Sequence, residues 1–219
     1  IKNIKSLVKS FKINWIFWLV LCICIYFLYK FGNTKKKSFI TVFISYFAVV
    51  VFGYIIHFLS HNISYVKEYK KRKSIFKKIP ILNELIINFL KFFDFHHDIH
   101  HNSKINQNFK IIIQESLLNF YTQGIFIFLV AKFFQYLDIR MIFLWAITYT
   151  SIHNINYNFY TPEVHKQHHK NFHTNYFMDL FDIIFGSKFD WNTIESHNSY
   201  SINYIITTIL IIIYSIIFN

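Results

Sequence analysis

Apolar residues run along this chain in blocks of about twenty, separated by short polar stretches, which is the pattern of helices that meet lipid on several sides. Ile13 to Phe31 and Ser38 to Leu59 are each long enough, at about 1.5 Å per residue, to cross a hydrocarbon layer of about 30 Å. The link Gly32 to Lys37 is short, so these two blocks predict a hairpin. A third block runs from near Ile111 to Phe134 with Glu115 and Gln123 inside it, and a fourth from about Ile139 to Ile152. The turn at Gln135 to Asp138 predicts a second hairpin. Ile202 to Phe218 is a fifth block of seventeen residues, able to span with little tilt or to lie partly buried. The fold class that follows is all-α: a polytopic membrane protein with a four-span core in two hairpins, a cap on one side, and an extra C-terminal span.

Composition agrees with that reading. The chain is 54% hydrophobic and 21% aromatic with 16% charged residues, more apolar sequence than a soluble domain of 219 residues could bury. Its net charge of +12 would suggest nucleic acid in a soluble chain. Here topology signalling and attraction to anionic head groups account for the charge, and no nucleic-acid partner is expected. Cations concentrate at Lys2, Lys5, Lys9 and Lys12 and in Lys67 to Lys78, against Lys35 to Lys37 in the first hairpin turn. The positive-inside rule therefore puts the lysine-rich side, which also carries the histidines, in the cytosol. Cys22 and Cys24 fall inside the first block and read as packing residues rather than a disulfide. The chain opens on Ile1, which reads as trimming or processing.

Polar chemistry is concentrated in the histidines. Three clusters share a spacing: His57 and His61 in HFLSH, His97, His100 and His101 in HDIHH, and His165, His168 and His169 in HKQHH. Residues three and four apart share a helix face, so each cluster can present two or three imidazoles to one point. A lone pair at this spacing is usually core or surface filler, whereas three such clusters on one chain point to metal. No thiolates accompany them, which argues against a structural zinc knuckle, and HExxH is absent, which argues against a zincin protease. Asp98 lies between histidines and either hydrogen-bonds an imidazole or faces water. Glu115 is a carboxylate in an apolar run, an expensive placement that suggests support for a histidine.

The order HxxxH, HxxHH, HxxHH on a multi-span chain resembles the fatty acid hydroxylase and sterol desaturase superfamily. HKQHHKNFHTNYFMDLFDIIFGS is similar to that family's closing box, through Asn175, Tyr176, Asp182, Phe185, Gly186 and Ser187. The resemblance covers about Tyr54 to Ser187. It implies that His57, His61, His97, His100, His101, His165, His168 and His169 ligate two iron ions, with zinc possible in purified protein, and that His153 in SIHN matches a further family histidine. It also implies a lipid substrate from the bilayer, hydroxylated or desaturated with O2. Electrons would come from a haem-type carrier or an NAD(P)H-linked reductase, since the chain has no nucleotide-binding fingerprint. Fatty acyl, sphingolipid and sterol substrates all fit, and a eukaryotic chain of this kind is expected in the endoplasmic reticulum. The domain reading is 1–37 for the N-terminal segment and first span, 38–187 for the histidine-box domain, and 188–219 for a loop and the additional span.

Three positions depart from the family pattern. Tyr149 stands where a second histidine is often found four residues before His153, so a ligand is missing or comes from elsewhere; His96 and His173 flank the clusters. An insert, Asn62 to His96, separates the first two clusters, with Lys67 to Lys78 reading as a solvated loop or a head-group contact. Its part Ile79 to Phe95 predicts an amphipathic interfacial helix. The C-terminal span is the third. His197 reads as a surface residue, and Asn175, Tyr176 and Asp182 as residues that fix the loop. Other classes remain open beside the oxidoreductase: a zinc-dependent membrane hydrolase, a metal transporter, or a non-catalytic metal-binding scaffold.

Overall fold

The computed structural model describes residues 2–32, 37–95, 108–129 and 137–218, and these are helical with turns and no strand. Helix α1 (Lys2–Ile13) is followed by α2 (Trp15–Phe31), and the two are bent by 69° at Asn14. Helix α3 (Phe39–Asn62) begins at Ser38, whose hydroxyl accepts from the Thr41 N–H at 3.2 Å, a side-chain cap on an otherwise unsatisfied donor. The insert contains α4 (Tyr65–Lys71), a tight turn at Ile75–Lys78 and α5 (Pro80–Phe95). Helix α6 (Phe109–Phe120) is capped by Asn108 and runs on through a wider π-helical turn at Tyr121–Ile125. Helix α7 (Ile139–Ser151) starts at Asp138, which takes the Arg140 N–H and guanidinium, and also passes into a π turn, Ile152–Asn156. Then come α8 (Glu163–Lys170), α9 (Asp179–Phe185) and α10 (Ser201–Phe218).

Two stretches among the described residues are long and apolar enough to cross a membrane, Phe39–Asn62 and Asn198–Phe218, and the bent pair α1 and α2 makes a third if taken as one span. Helix α10 packs against α2 and α7, and α7 also meets α3 and α6. Leu144, Trp145 and Ala146 of α7 are accordingly inaccessible. Phe17, Leu28, Val42 and Val49 pack around them, and between helices that meet lipid such contacts stabilise through close packing rather than removal from water. Ile16, Leu19, Ile23 and Phe27 on α2 and Ile209, Ile213 and Ile216 on α10 point outward. Such rows suit lipid contact.

Two of three elements differ in detail from the hydropathy. The apolar run from Ile13 is interrupted only by Asn14 at its start, and the helix breaks there. The buried Asn14 carboxamide donates to the Glu195 carbonyl and accepts the His197 N–H, and Ser6 Oγ donates to the Trp191 carbonyl at 2.7 Å, so α1 is turned back onto the 191–197 segment. The expected amphipathic helix is present as α5, with Ile81, Leu85 and Phe89 facing out. Lys67 to Lys78 is not a loop throughout but a short helix and a turn, which keep most of its lysines exposed.

Candidate metal centre

Four segments meet at the C-terminal end of α3. Its last two turns present His57 and His61, four residues apart and both buried. Facing them is α8, which brings His165, His168 and His169. Pro162 fixes the entry to α8, and Glu163 in its first turn complements the positive end of the helix dipole. The π turn after α7 supplies His153, and Ile152, His153 and Asn154 within it are all buried.

His57, His61 and His168 each offer a ring nitrogen, and the three atoms lie within 4.8 Å of one another. Metal–imidazole bonds of about 2.0–2.1 Å bring nitrogens on one ion to roughly 3–4 Å apart, so small ring rotations close this group on a cation. The donor set is all neutral imidazole, which suits zinc or a divalent first-row metal such as iron. His168 is oriented from behind, since its Nδ1–H donates to the Thr174 carbonyl at 2.6 Å and this tautomer leaves Nε2 as the basic nitrogen. Three further histidines continue the cluster. His153 and His165 have ring centres 5.1 Å apart, and His165 and His169 approach through their Nε2 atoms at 2.9 Å. Glu115 is buried on α6 with a carboxylate oxygen 4.0 Å from His153 Nε2.

Tyr149, the position where the resemblance has a second histidine, lies inside the cluster. Its ring stacks on His153 at 9° and its hydroxyl is 3.4 Å from His57 Nδ1. His97, His100 and His101, together with His96 and Asp98, lie outside the described residues. His173 is exposed and hydrogen-bonded to Asn62 at 3.1 Å.

The loop behind α8 is held by the residues assigned to it from sequence. Asn175, in the left-handed conformation that asparagine tolerates (φ 52°), donates to the Val164 carbonyl and accepts the Phe189 N–H. Asp182 accepts the Tyr176 N–H and the Ser187 hydroxyl, and α9 closes at Gly186 with φ 75°, a conformation that favours glycine. Burial pushes the Asp182 carboxyl up to about 8 despite these donors.

Sequence reasoning missed a buried charge network next to this loop. Lys188 pairs with Asp179, which also accepts the Glu195 N–H, and Glu195 accepts from Tyr157 and Tyr200. Burial, with Asp179 nearby, pushes Glu195 up to about 7. His197 is a correction: it is buried rather than on the surface, edge-on to Phe17 at 5.6 Å. Burial lowers it to about 4. The cause is the long-range clamp of Asn14 on 195–197, for which no local sequence signal exists.

Comparisons of the chain with models of known families, with curated proteins and with solved structures return no match.

Proposed function

We propose that this chain is a membrane-bound non-haem metal oxidoreductase of the fatty acid hydroxylase and sterol desaturase type, acting on a lipid with O2 and externally supplied electrons. The observation that carries the reading is the convergence of His57, His61 and His168, from segments more than a hundred residues apart, at the end of a helix able to span a membrane. These three would hold one iron. His153, His165 and His169 lie beside them with Glu115. With His97, His100 and His101 they would form the set for a second. Iron, when bound, supplies the reductive activation of dioxygen that no side chain can provide.

The side chains have their own tasks. Thr174 fixes the tautomer of His168, Tyr149 holds the His57 and His153 rings, and the surrounding apolar helices exclude water from the reacting carbon. In this reading the first four apolar blocks form two hairpins, the histidine cap faces the cytosol with the lysines of α4, and α10 is an additional span. A haem-type carrier or NAD(P)H-linked reductase supplies electrons, and a eukaryotic chain would reside in the endoplasmic reticulum.

A three-imidazole group is also the donor set of a catalytic zinc site, so a zinc-dependent membrane hydrolase is the second reading. Lipid profiling of cells expressing the wild type and His168→Ala separates them. An oxygen-dependent hydroxylated or unsaturated lipid in the wild type alone supports the oxidoreductase. A product formed equally without oxygen supports the hydrolase.

A further inference from the structure

Beside the end of α3, α4 packs on α5, and the crevice between them is a basin of about 570 Å³ walled by Lys67, Lys70, Lys71 and Lys91, with Asp94. A second cavity of about 270 Å³ shares Lys67, Lys71 and Asp94 with it and extends to His61. The two cavities share these walls, so the cationic basin lies beside the cavity that His61 lines. Its acidic groups are engaged. Asp94 accepts the Ser64 hydroxyl and the Tyr65 and Val66 N–H groups, which caps α4, and Glu68 pairs with Lys71 at 2.7 Å. Lys67, Lys70 and Lys91 form no ion pair among the described residues, which leaves a surplus of positive charge around a concave space.

Such a basin suits a phosphate. Its shape favours a small group over a protein, which would need a broad surface of roughly 800 Å² per partner, and the inner cavity admits a small molecule alone. The neighbouring helix face favours a lipid as the source. Ile81, Leu85 and Phe89 make an outward apolar stripe along α5, the arrangement of a helix lying at head-group level. We propose that the basin is the head-group site for a phosphate-bearing lipid, with the polar linkage between head group and chain in the inner cavity beside His61. Turnover near that linkage rests on the metal oxidoreductase reading; binding does not.

The test is equilibrium binding to the full chain in neutral detergent, with lysophosphatidic acid, the monoacylglycerol of the same chain length, and inorganic phosphate as probes, and with metal content measured on the same samples. The phosphate lipid should bind about ten-fold more tightly than the monoacylglycerol, and the preference should shrink as salt screens the lysines. Lys67→Gln/Lys91→Gln should erase the preference with metal content unchanged, and Lys70→Glu, at an exposed site, should weaken the phosphate lipid alone. Equal binding of the two lipids, or a preference that survives both variants, overturns the proposal. Inorganic phosphate competing as well as the lipid overturns the lipid source. Wild-type protein without metal sinks the oxidoreductase reading, while a lysine-dependent preference in those samples still supports the head-group site.

Discussion

In the histidine cluster like groups face like, whereas in the adjoining network of Asp179, Lys188 and Glu195 opposite groups meet. Both are buried, but imidazoles gathered around one point gain little from one another, and what stabilises such a gathering is a cation. The network is complete within the protein, since Asp179 takes the Lys188 ammonium and a backbone N–H, and Glu195 takes two phenols. Buried polar residues thus do two jobs a few ångströms apart. One set could hold a metal ion, and the other ties the segment 188–195 to α9.

Breaking the network should have the largest effect on folding. Lys188→Met leaves Asp179 buried without its cation and should cost about 3–5 kcal/mol, measured as detergent-resistant folded fraction or denaturation midpoint. Asp179→Asn combined with Lys188→Met should cost less than the sum of the single changes. The cluster should respond to ligand instead. Adding zinc or ferrous iron at about 100 times its dissociation constant should stabilise the wild type by about 2.7 kcal/mol, with reversal by chelator. His61→Ala should lose that increment, and whatever Lys188→Met protein folds should retain it.

Gly53 gives a purely steric contrast. An added Cβ would lie 2.4 Å from Gln123 Oε1 and 2.6 Å from Trp145 Nε1, so Gly53→Ala should destabilise by about 1–3 kcal/mol without loss of metal. The smallest effect is a pH dependence. Glu195 is raised to about 7, so the folded state holds its proton more tightly than the unfolded chain. That contribution is full below the ordinary carboxylate range and lost as pH rises through 7. His197, lowered to about 4, works the other way, and its contribution is lost as pH falls from about 6.5 towards 4. With Asp182 raised to about 8 as well, thermal midpoints should decline between pH 6 and pH 8.5, and Glu195→Gln should flatten the part of the decline around pH 7 while leaving the part near pH 8.

The two regions were unequally legible in the sequence. Spacing carried the histidines because HxxxH and HxxHH place their own neighbours on one helix face, and hydropathy carried α3, α10 and the amphipathic α5 because each is a local pattern. The break at Asn14 was hidden, since an asparagine beside a long apolar run does not reveal that its side chain will bind a segment 181 residues away. Lys188 and Asp179 were hidden for the same reason: a charged residue reads as solvated until its partner is placed. His153 is buried within a π turn, and no residue in SIHN marks one. Tyr149 was legible as a departure but not as a ring lying between two histidines.

The most direct measurement is transition-metal content of the purified wild type, His168→Ala and His173→Ala, the last removing a histidine that faces solvent. At least one tightly held ion is expected per wild-type chain, retained in His173→Ala and lost in His168→Ala. Equal metal in all three proteins, or none in the wild type, would contradict that expectation.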